Sequence, residues 1–227
     1  MAKPKSDIST LVFDPQTASM LAVNMVDTLR KDSAGGIKSG IGDLDNILLP
    51  MRPGELITVL GYTSNYKSGF MNWISKQALK EIIKDKTENE FVARVTWEQS
   101  VEEDTLSWLA GDADLSITKL ARGMVDEKEW KILERSSVKR AITPMWIIGH
   151  SQQENEERRR SRPRMTMSDV ALALEFICND ATDKKLKPKL IVLDYLQRIR
   201  PDPQDGSTKR EQMLEAVNRA KDAAIAF

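Results

Sequence analysis

The sequence predicts an α/β fold in which a mostly parallel sheet is flanked by helices. Short apolar segments alternate along the chain with longer amphipathic ones, and strands separated by helices pair in parallel because each return needs a crossover. The 227 residues include 41% hydrophobic residues and equal numbers, 34 each, of basic and acidic residues. This composition is typical of a globular chain with a sizeable core.

The first predicted helix lies ahead of this alternation. Residues 1–14 begin with a polar stretch, which predicts a flexible tail. The Asp-Pro pair at 14–15 supplies an N-cap and a proline at the first helical position, so we expect an amphipathic helix over 15–31 within a linker-type segment, 15–36. Glycines separate this helix from the core, 37–227. It either packs back on that core or docks on a neighbouring subunit, and the residues favour neither arrangement.

The remaining elements follow from β-branched and apolar runs, and from helical spacing between turn residues. Four strands are predicted, over residues 55–60, 91–97, 145–148 and 189–193. Helices are predicted over residues 70–83, 101–110, 168–179 and 208–225, with a charged helical stretch over 116–140.

The composition argues against several functional classes. The single Cys178 cannot form an internal disulfide and no apolar leader opens the chain, so we expect a cytoplasmic protein. No apolar run approaches the roughly 20 residues that span a bilayer. With one histidine, His150, both a His/Cys zinc site and Ser-His-Asp catalysis are disfavoured. Carboxylates, lysine, hydroxyls and backbone amides remain, and they suit phosphoryl transfer.

The first candidate site is the segment GYTSNYKS at residues 61–68, between a predicted strand and a predicted helix. Amides at a helix N-terminus bind phosphate, Lys67 would reach the outer phosphates and Ser68 would ligate Mg²⁺. Tyr66 departs from the pattern G-x-x-x-x-G-K-[ST], in which backbone conformation favours glycine at that position. The residues leave two interpretations open, a nucleotide loop or an ordinary turn. The candidate cofactor-binding residues are Gly61, Thr63, Ser64, Asn65, Tyr66, Lys67 and Ser68.

Two further predicted strands lead into carboxylates, Asp194 and Glu98. In nucleotide-binding α/β sheets the ligand lies beyond the carboxyl ends of the strands. Asp194 would therefore reach Mg²⁺, directly or through water, and Glu98 would act as the general base on an attacking water. The ordinary alternative is that each carboxylate only ends its strand.

Four segments occur in a suggestive order: GIGDLD at 40–45, RPGELI at 52–57, TWEQS at 96–100 and DYLQ at 194–197. Together they resemble the DnaB-type replicative helicases, a family of RecA-like ATPases, from about residue 37 to the C-terminus. DYLQ is the most specific match, because it is characteristic of that family's Walker B region. TKLARG at 118–123 and Trp130 fall where the family has a helical insertion.

The resemblance implies a RecA-like ATPase that uses ATP and Mg²⁺ to move on single-stranded DNA during replication. By resemblance, Lys67 and Ser68 bind phosphate and metal, Glu98 is the catalytic base and Asp194 is the Walker B carboxylate. ATP would lie between subunits of a ring, most often a hexamer, and the helix over 15–31 would dock on the next protomer. The implied location is the cytoplasm of a cell or of a phage host, with no membrane partner.

The sequence also departs from the family. Too few residues precede the first helix for the family's collar domain, so we expect a collar-less protein encoded by a phage or another mobile element. Replication partners are possible, and the sequence does not identify them. The family's sensor residue, DNA loops and arginine finger are expected beyond Phe227, which leaves the core incomplete at its C-terminus. Two alternatives stay open: a related ATPase without unwinding activity, and a non-hydrolysing, nucleic-acid-associated scaffold in which Tyr66 closes the phosphate site.

Two other features have a functional and a structural interpretation. Five arginines within residues 158–164 either bind nucleic-acid phosphates or form a solvated loop, and solvated loops are the commoner case. Tryptophans usually belong to cores or interfaces. Trp97 is the exception of interest, because it precedes Glu98.

Overall fold

The computed structural model describes residues 12–31, 36–62, 65–97, 99–152, 165–180, 185–194, 199–202, 205–206 and 208–227. Within these ranges the helices are α1 Pro15–Lys31, α2 Gly42–Ile47, α3 Lys67–Asp85, α4 Val101–Ala113, α5 Ile117–Ala121, α6 Glu127–Ala141, α7 Met167–Asp180 and α8 Lys209–Ala226. The strands are β1 Glu90–Thr96, β2 Met145–Ile148 and β3 Lys187–Asp194. The arginine-rich segment 158–164 lies outside the described residues.

The three strands form one parallel sheet in the order β2-β1-β3. Val92 on β1 pairs with Met145 on β2 and with Leu190 on β3. This arrangement confirms the predicted α/β fold, because every strand-to-strand connection passes through helices. All three strands point their carboxyl ends to the same edge of the sheet, where a ligand of an α/β protein is expected.

The predicted strand over residues 55–60 is wrong. Those residues form neither helix nor strand, and Ile57 and Leu60 are 50% and 86% exposed. Their β-branched composition suits a pleated surface, but a strand also needs a neighbouring backbone to satisfy its hydrogen bonds. Among the described elements, none pairs with this segment.

Strand β1 lies at the centre of a three-layer core. Every side chain from Phe91 to Thr96 is buried. Side chains alternate across the sheet, so Phe91, Ala93 and Val95 pack with α7 and α8, whereas Val92 packs with α3 and with Trp108 on α4. The helices therefore cover both faces, as a parallel sheet requires.

Helix ends follow local capping chemistry. Capping boxes begin α4, α6 and α8, at Ser100, Asp126 and Thr208. The charged stretch predicted as helical over 116–140 is divided into α5 and α6, because Gly123 takes a φ of +66° and Asp126 starts a new helix. Helix α4 continues through Gly111 instead of ending before it.

Helix α1 has the predicted bounds. Asp14 accepts the Thr17 amide at 2.9 Å, as expected for an N-cap. The described side chains from residue 12 to residue 26 are all exposed, so this part of the helix does not pack back on the core. In the described part of the chain, no helix is both long enough and apolar enough to cross a membrane.

Candidate nucleotide site at the carboxyl ends of the strands

The predicted phosphate loop leads directly into α3. Lys67, the first residue of that helix, turns back over the loop and donates from Nζ to the carbonyl oxygens of Gly61 at 3.0 Å and Tyr62 at 2.8 Å. The Asn65 amide also donates to the Tyr62 carbonyl at 3.2 Å. These hydrogen bonds hold the Lys67 side chain across the loop, and its ammonium group lies at the N-terminus of a 19-residue helix.

Tyr66 has a backbone conformation that glycine adopts more readily than any other residue. Its φ of 52° and ψ of 28° lie in the left-handed region, which costs a residue with a Cβ about 1–2 kcal/mol. The side chain is 86% exposed, so the phenol ring projects into solvent and does not fill the loop. Tyrosine at this position therefore strains the backbone.

The first turn of α3 is suited to an anion. Tyr66, its N-cap, makes no side-chain capping hydrogen bond, and no acidic residue lies in the first turn. Helix α4 differs, because it has a capping box and three acidic residues in its first turn. Uncapped amides and the positive end of the helix dipole favour a bound phosphate. The exposed Ser68 places a hydroxyl in this same turn.

Asp194 ends β3 next to the end of β1. It pairs with Thr96, and its carbonyl oxygen accepts the Trp97 amide at 3.3 Å. Its side chain is half-buried. The sequence placed Asp194 and Glu98 at neighbouring strand ends. The structure places Asp194 there, whereas Glu98, Thr63 and Ser64 lie outside the described residues.

The donor set suits Mg²⁺ bound together with a nucleotide. No group of three or more His, Cys, Asp or Glu side chains in the described ranges could hold a metal by itself. Mg²⁺ is commonly bound by one or two protein oxygens together with substrate phosphates and water. Ser68 carries a hydroxyl oxygen in the first turn of α3, and Asp194 carries carboxylate oxygens at the end of β3.

Two carboxylates in the first turn of α4 make contacts that sequence reasoning missed. Arg94, in the centre of β1, donates from Nη2 and Nε to the two carboxylate oxygens of Asp104 on α4, at 2.6 and 3.2 Å. Both side chains are buried, at 2% and 4% exposure. The available signal was a lone arginine within the apolar run 91–95, where a buried charge requires a partner. The contact fixes the first turn of α4 against the sheet.

The second contact is made by Glu102, also in the first turn of α4. Its carboxylate accepts the Ser151 hydroxyl and the Gln152 amide, the latter at 2.9 Å. These hydrogen bonds, the Ser151 hydroxyl first, lower the pKa of Glu102 to about 2. The chain that follows β2 is therefore attached to α4 by a charged acceptor.

Comparison with known proteins identifies the family. Residues 36–224 match the family described as the DnaB-like helicase C terminal domain. The chain belongs to this family. The match covers more than half of the chain and includes the predicted phosphate loop and Asp194, and it confirms the resemblance drawn from the sequence motifs.

Individual relatives agree. The chain is 27% identical to the replicative DNA helicase DnaB of Rickettsia bellii, over 92% of this chain and 38% of that protein. It is 28% identical to the DnaB of Rickettsia typhi, over 82% of this chain and 34% of that protein. The chain thus spans little more than a third of the length of these curated relatives.

Solved structures show the same fold. The ATPase domain of G40P matches with a TM-score of 0.67 at 14% identity, over 93% of this chain and 68% of that chain. A DnaB-like replicative helicase, studied with its primase interactions, matches with a TM-score of 0.68 at 15% identity, over 92% of this chain and 45% of that chain. These two solved structures therefore share the fold described above.

Proposed function

We propose that this chain is the ATPase part of a DnaB-type motor, which hydrolyses ATP at subunit interfaces to move along single-stranded DNA during replication in the cytoplasm. The observation that supports this most strongly is the start of α3. There an uncapped helix N-terminus, the Lys67 ammonium and the Ser68 hydroxyl follow a loop in which Tyr66 has a glycine-like backbone. Family membership supports the same assignment.

Each residue has a role in this proposal. Bound Mg·ATP would supply the phosphoanhydride that is cleaved. Lys67 would exchange its two loop carbonyls for phosphate oxygens, so its charge would neutralise the negative charge that develops during transfer. Ser68 would ligate the metal through its hydroxyl, and Asp194 would hold it directly or through water. Glu98 would take the proton of the attacking water.

The test is equilibrium binding of a fluorescent ATP analogue with Mg²⁺. We expect micromolar binding that Lys67→Ala abolishes. Lys84→Ala is the matched control, because Lys84 is an exposed lysine in the last turn of the same helix. Glu98→Gln should retain binding and lose turnover. A folded chain that does not bind the analogue would favour the non-hydrolysing scaffold.

Stimulation of ATP hydrolysis by single-stranded DNA distinguishes a motor from an ATPase without unwinding activity. A DnaB-type motor should hydrolyse ATP faster when DNA is added, and the effect should weaken as salt is raised because phosphate contacts release counterions. A rate of ATP hydrolysis that DNA does not change at any salt concentration would support the ATPase without unwinding activity.

The exposed apolar side of α1 supports the proposal that the chain assembles into a ring, with six subunits as the expected number. Leu21 and Met25 lie one helical turn apart and are 51% and 58% exposed. Apolar side chains exposed together in this way mark interaction surfaces. Leu21→Glu should shift the assembly, measured by sedimentation with ATP present, toward monomer, whereas Gln16→Glu on the same helix should not. An unchanged ring would exclude α1 from the interface.

A further inference from the structure

One side of α3 carries an exposed tryptophan among lysines. Trp73 is 42% exposed, and its indole Nε1 donates to the carbonyl oxygen of Ser39 at 2.7 Å, which fixes the ring at the surface. The Lys80 ammonium lies over this ring, 5.5 Å from its centroid. Lys76, one helical turn before Lys80, lies 5.1 Å from the centroid of the Trp108 ring on α4. Two indole–ammonium pairs therefore occur on the same side of α3.

The charges on this side of α3 suit an anion. Asp112 on α4 pairs with Lys76, whereas no carboxylate of the described residues forms an ion pair with Lys80. Glu81 lies about 100° further around the helix, where it is partly buried and accepts a backbone amide. Asp45 is occupied by the hydroxyl and amide of the residue that anchors the indole. Lys80 therefore offers a positive charge to a ligand.

A groove between α3 and α4 lies beside the Trp73 ring. Its lining includes Asn72, Trp73, Lys76, Ser107, Trp108 and Gly111. Its volume of about 150 Å³ is below the roughly 300–1,000 Å³ of pockets for drug-sized ligands, and it suits a single small ring. The Asn72 amide oxygen is buried and has no hydrogen-bond partner among the described residues. An unsatisfied acceptor is costly, so a ring that brings an N–H donor would gain a partner here.

We propose that this side of α3 binds single-stranded nucleic acid, with a base stacked on Trp73 at the mouth of the groove and the adjoining phosphate on Lys80. Every base has a π-face that stacks on an aromatic side chain, and lysines neutralise phosphates. A duplex hides the faces of its bases, so the exposed indole and the groove fit a single strand. The inference goes beyond the proposed motor, because binding here requires neither the phosphate loop nor a ring.

The experiment titrates the whole chain into a fluorescein-labelled oligothymidylate, without nucleotide or Mg²⁺, and follows fluorescence anisotropy at several salt concentrations. Trp73→Ala should weaken binding by about fivefold or more, since stacking on an aromatic side chain contributes at least that much per base. Lys80→Ala should weaken binding and reduce the slope of log affinity against log salt by about 0.7, the value for one phosphate of a single strand. Lys131→Ala is the matched control, because Lys131 is an exposed lysine on α6, and it should change neither quantity.

A second substitution covers the case in which the loss of the indole disturbs folding. Lys80→Glu changes only an exposed side chain, so it should lower affinity by about tenfold or more with an unchanged melting temperature. Binding that neither Trp73→Ala nor Lys80→Glu weakens, or equal affinity for a duplex of the same length, would overturn the inference.

The outcome is separable from that of the proposed function. A folded chain that binds the oligonucleotide through Trp73 and Lys80 but does not bind the ATP analogue would refute the proposed function and support this inference. A chain that binds the ATP analogue but not the oligonucleotide would refute this inference alone.

Discussion

Replacing Tyr66 with glycine tests whether this position strains the phosphate loop. The left-handed backbone costs a residue with a Cβ about 1–2 kcal/mol, and φ is 52° here. Glycine removes that cost but adds about 0.5–1 kcal/mol of unfolded-state entropy. The ring is 86% exposed, so its loss removes little packing. Tyr66→Gly should therefore stabilise the chain by about 0.5–1 kcal/mol.

The stability gain should appear as a rise in melting temperature of about 1–4 °C for a chain of this size. If the same strain opposes the closed loop during nucleotide binding, ATP-analogue affinity should rise by about two- to fivefold, because about 1.4 kcal/mol corresponds to a factor of ten. Calorimetric titration and thermal unfolding of the same samples give both numbers.

Two controls separate backbone strain from the loss of the ring. Tyr62 is 87% exposed and is not among the described residues with a left-handed backbone, so Tyr62→Gly should destabilise the chain. Tyr66→Ala removes the ring and keeps a Cβ, so it should bring no gain in stability. If Tyr66→Ala stabilised the chain as much as Tyr66→Gly, or if Tyr66→Gly destabilised it, the strain argument would be refuted.

Three further predictions concern the contacts around the strand ends. Asp104→Asn should destabilise the chain by about 3–5 kcal/mol in urea unfolding, because it leaves the buried Arg94 charge uncompensated; a loss below about 1 kcal/mol would contradict this. Glu102 has a pKa lowered to about 2, so its contribution to stability is full above its ordinary pKa of 4.5 and is lost as the pH falls toward 2. The destabilisation caused by Glu102→Gln should accordingly be present at pH 7 and vanish near pH 2, and an equal difference at both pH values would count against it. Gly149→Ala should cost about 1–3 kcal/mol by the same measurement, since its Cβ would lie 2.7 Å from a side-chain carbon of β1, whereas Gly42→Ala meets nothing within 4 Å and should be nearly neutral.

Local signals predicted the helices well. The bounds of α1 match because an Asp N-cap and a proline at the first helical position act within one turn of the chain. Strand β2 also has the predicted bounds, Met145–Ile148. The error over 55–60 has a different origin, since strand propensity is local but strand pairing depends on a distant backbone. Gly123 and Asp126 are local signals for the break between α5 and α6. The prediction missed them because the charged helical pattern continues on both sides of the break.

For the candidate site too, the sequence predicted some features and the structure supplied others. The pattern around Lys67 and Ser68 predicts a phosphate loop, and position at a strand end made Asp194 a candidate metal ligand; the structure places Asp194 at the end of β3. The sequence, however, could not show that Tyr66 has a left-handed backbone conformation or that its ring lies in solvent. The roles of these residues, and that of Glu98, remain predictions.

The sequence by itself determined the alternation of helices and strands and the family, because capping, periodicity and motif spacing are properties of short segments. Only the tertiary structure decided which strands pair, that Arg94 is neutralised by Asp104, and that the Trp97 indole reaches Met165. These contacts join residues 10 and 68 positions apart. Their geometry depends on how the helices pack on the sheet, and no local pattern encodes it.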